Sequence, residues 1–435
     1  MTGTLAQIRS FNRPVQLLLV NQLTINIGFY MLMPYLAGYL TGDLAMAAWA
    51  VGLVLGVRNL SQQGMFLLGG TLADRYGYKP LILAGLGLRV AGFGLLGIAA
   101  SLPVLIVASV LTGLAGALFN PAVRAYLAAE SGERKTEAFA VFNVFYQAGI
   151  LAGPMIGLAL LAASFRWVCA VAALLFLLLL IAQARALPTR HARHPPTGPE
   201  EREAAADWRQ VLRHRGFLLF STAMIGSYVL NFQVYLSLPI EVRRVTGSET
   251  GVAILFAVSG LLTVAGQVRT TAWATRRWNP PQAIIRGLAL MAVAFLPLAA
   301  TAGFTPAVGA GPWRTTLALA PVLLSTVLLT VATMIVYPFE MATIVEFAGQ
   351  RLVGTYYGLY NTLAGVGIAA GNLLTGAALD AGSRHGWTAL PWLLLTATGL
   401  LCTAAVGYLS RAGHLATAPG AAAAHPARHR NSATR

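Results

Sequence analysis

Apolar runs of about 20 residues, the length that one helix needs to cross a bilayer core, recur along the chain from Val15 to Tyr408. Windows of that size predict helices over 15–40, 47–71, 80–100, 104–129, 136–162 and 166–187. A second set is predicted over 216–240, 250–272, 282–302, 316–345, 353–378 and 390–409. The expected fold class is an all-α membrane protein of twelve transmembrane helices in two six-helix bundles. The expected organisation is an N-terminal bundle over 1–187, a linker over 188–215, a C-terminal bundle over 216–411 and a tail over 412–435. The linker holds Pro195, Pro196, Pro199 and many arginines, with a short amphipathic piece around Trp208–Leu212. The tail, rich in Ala, Pro, His and Arg, is expected to be disordered.

The two sets echo each other. Tyr30-Met-Leu-Met-Pro34 followed by Thr41-Gly42 returns as Tyr235-Leu-Ser-Leu-Pro239 followed by Thr246-Gly247. Asn120-Pro121, Arg134 and Phe142-Asn143 return as Tyr337-Pro338, Arg351 and Tyr360-Asn361. Offsets of about 205 to 218 residues imply a duplicated six-helix unit and a pseudo-two-fold relation between bundles. Such parallel repeats place a transport site near the midplane, between the halves.

Composition narrows the chemistry. The chain is 57% apolar and 10% charged, against roughly 25% charged for a soluble domain, so most of it is expected to sit in a lipid bilayer. Its net charge of +16 is not gathered on a soluble module, and no nucleic acid is expected as a partner. With the N-terminus inside, 20 Lys and Arg fall on inner segments and 5 on outer loops, while Arg58, Arg89, Arg124, Arg269 and Arg286 lie within spans. The positive-inside rule then puts both termini and the linker in the cytoplasm of a multi-pass protein of the plasma (inner) membrane. Cys169 and Cys402 lie in apolar segments and all seven histidines lie outside the spans. No disulfide framework, metal or other cofactor is expected. No cleavable signal peptide is expected either, because the first apolar run is too long and many follow it.

The stretch Gly69-Gly70-Thr71-Leu72-Ala73-Asp74-Arg75-Tyr76-Gly77-Tyr78-Lys79-Pro80 resembles the loop after the second helix in the major facilitator superfamily, G-x-L-A-D-R-x-G-R-[RK]. Gly70, Leu72, Ala73, Asp74, Arg75, Gly77 and Lys79 match, and Tyr78 departs where a basic residue is common. Glycines let helices approach, Asp74 can sit at the positive end of another helix, and Arg75 and Lys79 suit an anionic inner interface. In the second half Ala274-Thr275-Arg276 lies where Ala73-Asp74-Arg75 would repeat, so the implied gate is asymmetric. In the fifth span Gly149, Gly153, Pro154 and Gly157 resemble the G-x-x-x-G-P-x-x-G pattern of the drug–proton antiporter branch. Glycines four apart serve equally for close helix packing. The arginine that many exporters carry four residues before a glycine in the fourth helix is replaced here by Ser109, before Gly113. Gly56-Val-Arg58-Asn-Leu-Ser-Gln62-Gln63-Gly64 and Leu88-Arg89-Val-Ala-Gly92-Phe93 resemble the MdtH-type multidrug exporters of that family. The resemblance covers nearly all spans and is sharpest over about 50–160.

Arg58 and Arg89 lie near the middle of their spans, where each costs roughly 2.5–3.5 kcal/mol to insert. No carboxylate shares their depth in the first half, and Gln62, Asn21, Gln22 and Asn26 are the candidate partners. Arg58 has two open uses, holding helices together or facing the cavity; an unpaired cavity arginine would favour a substrate with an acidic group. Glu340 is the deepest carboxylate and the candidate proton carrier, and Arg124, at the matching depth, is its candidate inner-gate partner. Gln22, Asn26 and Tyr30 share one helical face, as do Tyr228, Asn231 and Tyr235, and Tyr357 with Asn361. The resemblance makes these cavity candidates; hydrogen bonding between helices is the competing use.

The resemblance implies a secondary transporter that moves a small molecule by alternating access, most readily proton-coupled efflux of drugs or a metabolite, and works as a monomer. An uptake symporter or a proton-independent facilitator on the same fold is the alternative. A membrane enzyme would need His, Asp, Glu or Cys gathered at one depth, and a sensor would need a soluble output domain. Neither is visible, and the pattern G-x-x-x-x-G-K-[ST] for binding ATP does not occur.

Overall fold

The computed structural model describes residues 10–66, 69, 72, 76–131, 134–188, 210–303, 311–348, 353–413 and 415, and every regular element among them is helical. In chain order these are α1 (Arg13–Tyr30), α2 (Met33–Gly42), α3 (Ala48–Gln63), α4 (Tyr78–Ile98), α5 (Leu102–Ser131), α6 (Lys135–Leu161) and α7 (Phe165–Ala186). After the linker come α8 (Arg215–Asn231), a 3₁₀ turn (Phe232–Tyr235), α9 (Ser237–Thr246), α10 (Thr250–Arg277), α11 (Pro280–Val293) and α12 (Leu296–Thr301). The last three are α13 (Pro312–Ala348), α14 (Val353–His385) and α15 (Leu390–Arg411). Eleven stretches among the described residues are long and apolar enough to cross a membrane. The run predicted over 47–71 is described continuously as helix only for the 16 residues of α3 and is not one of them.

Local chemistry sets the helix limits. Asn12 starts α1 by accepting from the Val15 amide at 3.1 Å, with Pro14 in the first turn, and Asn279 accepts from Gln282 at 3.0 Å ahead of Pro280 and Pro281. Three expectations are corrected here. The spans predicted as single helices over 15–40, 216–240 and 282–302 are each broken in two, at Met31–Leu32, at the 3₁₀ turn and at Ala294–Phe295. A proline lacks an N–H and its ring clashes with the carbonyl four residues back. Four residues before Pro34 is Tyr30, the last residue of α1, and four before Pro239 is Tyr235, the last of the 3₁₀ turn. The same spacing separates Pro297 from Val293, where α11 ends. Pro121, Pro154, Pro321 and Pro338 stay inside α5, α6 and α13. Several helices also outrun their apolar windows, α10 to Arg277 and α14 to His385, because backbone pairing continues into the polar interface.

Packing sorts the helices into α1–α7 and α8–α15. In the first set α1 packs on α6 and α7, α4 on α5 and α7, and α3 on α5; in the second α13 packs on α10 and α11, and α8 and α11 on α15. The sets meet where α3 lies along α14 and α6 along α10, and where α2 crosses α9 and α10. Arg13 and Arg411 end their spans at what is here the terminal face, and the ends of α2, α9 and α14 lie at the opposite, distal face.

Glycines make the α3–α14 seam close. Gly52 faces the Asn372 backbone, Gly376 faces the Ala48 backbone, and a Cβ on Gly56 would stand 2.9 Å from the Ala369 carbonyl oxygen. A side chain there must push two backbones apart. Gly56→Val is therefore expected to destabilise the protein by about 1–3 kcal/mol, read as a Tm several degrees lower for the detergent-solubilised protein. Gly94, whose Cβ would meet nothing within 4 Å, is the control, and Gly94→Ala should melt with the parent. Equal melting of Gly56→Val and the parent would contradict a close seam.

Candidate functional site

Breaking α1 and the α8–α9 span at matched points turns Tyr30 and Tyr235 into the space between the sets. There they line a cavity of about 250 Å³ with Gln147 of α6, Asn231 of α8, Ser259, Thr263 and Gln267 of α10, and Thr326, Thr330 and Thr333 of α13. Apolar walls come from Ile150, Leu238, Phe256, Leu329 and Met334 among others. Ser259 and Thr330 are joined across α10 and α13 at 2.9 Å, Thr333 donates to Asn231 at 3.1 Å, and Gln267 donates to the Met334 carbonyl at 3.1 Å. The α10 and α13 polar stripes were not singled out in the sequence. Their spacings, Ser259–Thr263–Gln267 and Thr326–Thr330–Thr333, are helical repeats that would have marked them.

At the distal face the sets are tied together. Arg243 of α9 donates to the Gly38 carbonyl of α2 at 2.5 Å and to Glu249 at 2.9 Å, and lies 3.5 Å from Asp43. Asp380 of α14 accepts from the Ala48 and Trp49 amides at 2.9 and 2.8 Å. Those amides open α3 and have no partner within their own helix, so a carboxylate there satisfies two donors and the helix dipole together. Neither Asp380 nor Arg243 was marked by a sequence motif, because the contact joins positions 332 residues apart. Among the described residues no ion pair joins the sets at the terminal face.

The other sequence candidates fall in different places. Tyr30, Asn231 and Tyr235 line the cavity. Gln22 and Asn26 do not: both are buried, Gln22 donating to Asn26 at 3.1 Å and Asn26 to the Tyr146 carbonyl of α6 at 2.8 Å. Arg58 is 9% exposed, donates to Asn59 at 2.8 Å and Gln62 at 2.6 Å, and lies 4.5 Å from the Phe29 ring centre. It is therefore not the unpaired cavity arginine on which an acidic substrate group was expected. Arg89 sits among Phe29, Phe119 and Phe176 at 6.0, 5.7 and 5.6 Å, a packing role. Tyr357 donates to the Met341 carbonyl at 2.9 Å and Asn361 to the Tyr357 carbonyl at 2.8 Å, and Tyr228 packs edge-on to Tyr360. The first and last of these uses bind α14 to α13 and to α8, and the second lies within α14.

Glu340 is 3% exposed and accepts a hydrogen bond from Tyr360. The expected pair with Arg124 is not formed: Arg124 is exposed, and no ion pair joins it to Glu340. The glycine motif is used for packing, with a Cβ on Gly149 falling 2.8 Å from the Leu23 carbonyl oxygen and one on Gly153 falling 3.0 Å from the Met31 nitrogen. Gly157 likewise faces the Met31 backbone, and the Pro154 carbonyl accepts from Tyr35 at 2.6 Å. Asp74 and Arg75 lie outside the described residues. Gly77 starts α4 with φ +88°, a conformation that suits glycine, and Lys79 donates to the Leu187 carbonyl at 2.6 Å.

A family model described as Major Facilitator Superfamily matches residues 18–372. An uncharacterized MFS-type transporter of Mycobacterium tuberculosis is 49% identical over 404 residues, spanning 92% of this chain and 94% of that protein. Multidrug resistance protein MdtH of Salmonella typhimurium is 29% identical over 392 residues, covering 90% and 92%. Among solved structures, a POT family transporter in complex with 5-aminolevulinic acid superposes with a TM-score of 0.75 at 13% identity, over 93% of this chain and 99% of that one. A nucleoside transporter, NupG, gives 0.74 at 12% identity over 92% and 100%. Identities this low speak for the fold alone.

Two expectations follow for the distal closure. Losing a capping carboxylate costs about 1 kcal/mol, about five-fold in an equilibrium. Asp380→Ala should therefore raise, about five-fold, the rate at which a membrane-impermeant maleimide labels a cysteine placed at buried Leu238 from the distal side. Unchanged labelling would mean that the Asp380 contact does not hold the closure. Burial raises the pKa of Glu249 above the ordinary 4.5, against the lowering pull of Arg243, with Asp43 adding to the rise. The closed state then binds this proton more tightly than an open, solvated one. Closure should strengthen as pH falls from above the raised value towards 4.5, and that slope should vanish in Glu249→Gln.

Proposed function

Because the chain belongs to the Major Facilitator Superfamily, we propose that it is a proton-coupled secondary transporter that carries a small molecule across the membrane by alternating access. The single observation that carries the coupling is Glu340, a carboxylate 3% exposed whose partner is the Tyr360 hydroxyl rather than a cation. Protonating it leaves no unpaired positive charge behind. Helix α13 connects this group to the cavity, since Thr333 and Met334 of the lining lie two turns before Glu340. A ligand or proton shifts the balance of two states only by binding them unequally. A carboxylate that is buried in one state and wetted in the other supplies such a difference.

In this reading α3 is the membrane-embedded part of the second span, which brings the eleven to twelve, and two six-helix bundles are related by a pseudo-two-fold axis. The helix breaks before Pro34 and Pro239 support that relation. The excess of Lys and Arg on the terminal side supports placing both termini in the cytoplasm, so that the described state is closed to the outside. One chain frames the whole cavity, which supports a monomer as the working unit.

Direction has two readings. Export by antiport is supported by Gly149, Gly153, Pro154 and Gly157 and by the likeness to multidrug resistance protein MdtH. Uptake by symport is the better supported, for two reasons. Packing of α6 on α1 already accounts for those glycines. The proton candidate also shares α13 with the cavity, so that both cargoes can load in one state.

The test uses purified protein in liposomes enclosing a pH-sensitive dye, under an imposed proton gradient, with a panel of neutral, anionic and cationic solutes. Solute-dependent proton movement is expected, abolished in Glu340→Gln while gradient-free exchange of the solute persists. Protons travelling with the solute identify symport, and against it antiport. Solute transport without proton movement would overturn the coupling.

A further inference from the structure

The transport reading leaves the cargo open, and the cavity wall narrows it. We propose that the central cavity selects an uncharged small molecule presenting several O–H or N–H donors, and rejects both cations and anions. This rests on the reading of that cavity as the transport site.

The first observation is the charge of the lining. Among the described residues, no Asp, Glu, Lys, Arg or His bounds the cavity. A formal charge brought into such a space gives up its water without meeting a counter-charge, which costs far more than moving a neutral hydroxyl into a hydrogen-bonding wall. The second is the direction of the hydrogen bonds already made. Thr263, Thr326 and Thr330 donate their hydroxyl protons to the carbonyls of Ser259, Val322 and Thr326 at 2.8, 2.8 and 2.7 Å. Thr333 shares its proton between the Leu329 carbonyl and Asn231. Gln267 spends its amide protons on Thr271 at 3.0 Å and on the Met334 carbonyl. What these groups turn to the cavity is therefore lone pairs, so the α10–α13 wall is built mainly of acceptors. Its complement is a ligand that donates.

An ammonium group also donates, and the placement of Arg58 opposes it. This buried cation interacts electrostatically with Tyr30 and Tyr235 of the lining. It is held by Asn59, Gln62 and the Phe29 ring, so its field opposes a cation; the same field favours an anion, which the uncharged lining still leaves without a direct partner. Glu340, the carboxylate that could offset it, is not in the lining and is held by Tyr360. Polyhydroxylated and amide-rich neutral molecules meet these conditions.

The test is a charge-matched set of probes of one size: a hexose, its neutral N-acetylamino derivative, the hexosamine and the hexuronate. Binding is read as the thermal shift of the purified full chain, and movement as uptake into liposomes. The neutral pair is expected to bind and the charged pair not to. Thr330→Val and Ser259→Ala should each weaken neutral binding about three- to ten-fold, the worth of one hydrogen bond, with the unliganded Tm checking that they fold. Thr333→Asp should admit the hexosamine, a gain that misfolding cannot produce. Binding by the hexosamine or hexuronate alone, or no binding by either neutral probe, would overturn the proposal. The two readings fail separately. Proton-coupled uptake of only the charged probes keeps the transporter and sinks the substrate class. Neutral binding with no uptake of any probe keeps the site and sinks the transporter.

Discussion

The close approach of α3 and α14 is the constraint from which the rest of the arrangement follows. Apolar side chains give helices no reason to associate in lipid, so contact depends on packing, and packing depends on how near two backbones come. Gly52, Gly56, Gly365 and Gly376 let α3 and α14 come close at four points along their shared length. On the other side of the molecule α6 and α10 meet less intimately, Gly260 facing only the tip of Leu151. Two halves joined by two antiparallel seams can pivot about them without separating. The space left between the seams is the cavity.

The prolines decide what faces that space. A helix continuing straight through Tyr30 and Tyr235 would carry both hydroxyls past the midplane along an unbroken surface. Pro34 and Pro239 end the helix at those tyrosines instead, and α2 and α9 start again at an angle and cross at the distal face. Crossing brings Arg243 to the end of α2 and Glu249 to the start of α10. One repeated spacing therefore supplies both the mouth of the cavity and the means of shutting it. Asp380 closes the same face by a different route, through the unpaired amides at the start of α3.

Much of this was written in the pattern of the chain. The apolar windows located eleven of the twelve expected spans, and the echo of Tyr30–Pro34 in Tyr235–Pro239 already held the matched breaks, although window averaging hid them because a break changes no hydropathy. Tyr30, Asn231 and Tyr235 were legible as cavity residues because they stand where the breaks turn them inward. Gln22 and Asn26 share a face with Tyr30, yet they spend their amides on each other and on α6. Periodicity names a face and not the neighbour that covers it. The hydroxyl wall escaped notice because serine and threonine are ordinary in membrane helices, where the i−4 carbonyl satisfies them. Contacts such as Asp380 with Ala48 depend on which helices become neighbours, and one sequence does not carry that.

The charges buried away from the helix ends divide by half, and the division bears on mechanism. In the first set Arg58 and Arg89 share the face of Phe29, with amides holding the first and Phe119 and Phe176 packed around the second. Burying each costs roughly 2.5–3.5 kcal/mol, and contact with an aromatic face returns about 2 kcal/mol when the cation is desolvated. Such residues are held fixed, and holding a charge fixed suits a scaffold. In the second set the company of Glu340 among the described residues is neutral, Tyr360 donating to it and Tyr228 packed beyond. Had it paired with Arg124, each protonation would strand a buried guanidinium, and the pair would resist the very change a coupled carrier needs. A carboxylate held by a phenol can lose or gain a proton and leave its neighbour's charge unaltered. The half that contributes most of the hydroxyl wall is thus also the half free to change its charge, while the half with the caged arginines keeps its shape.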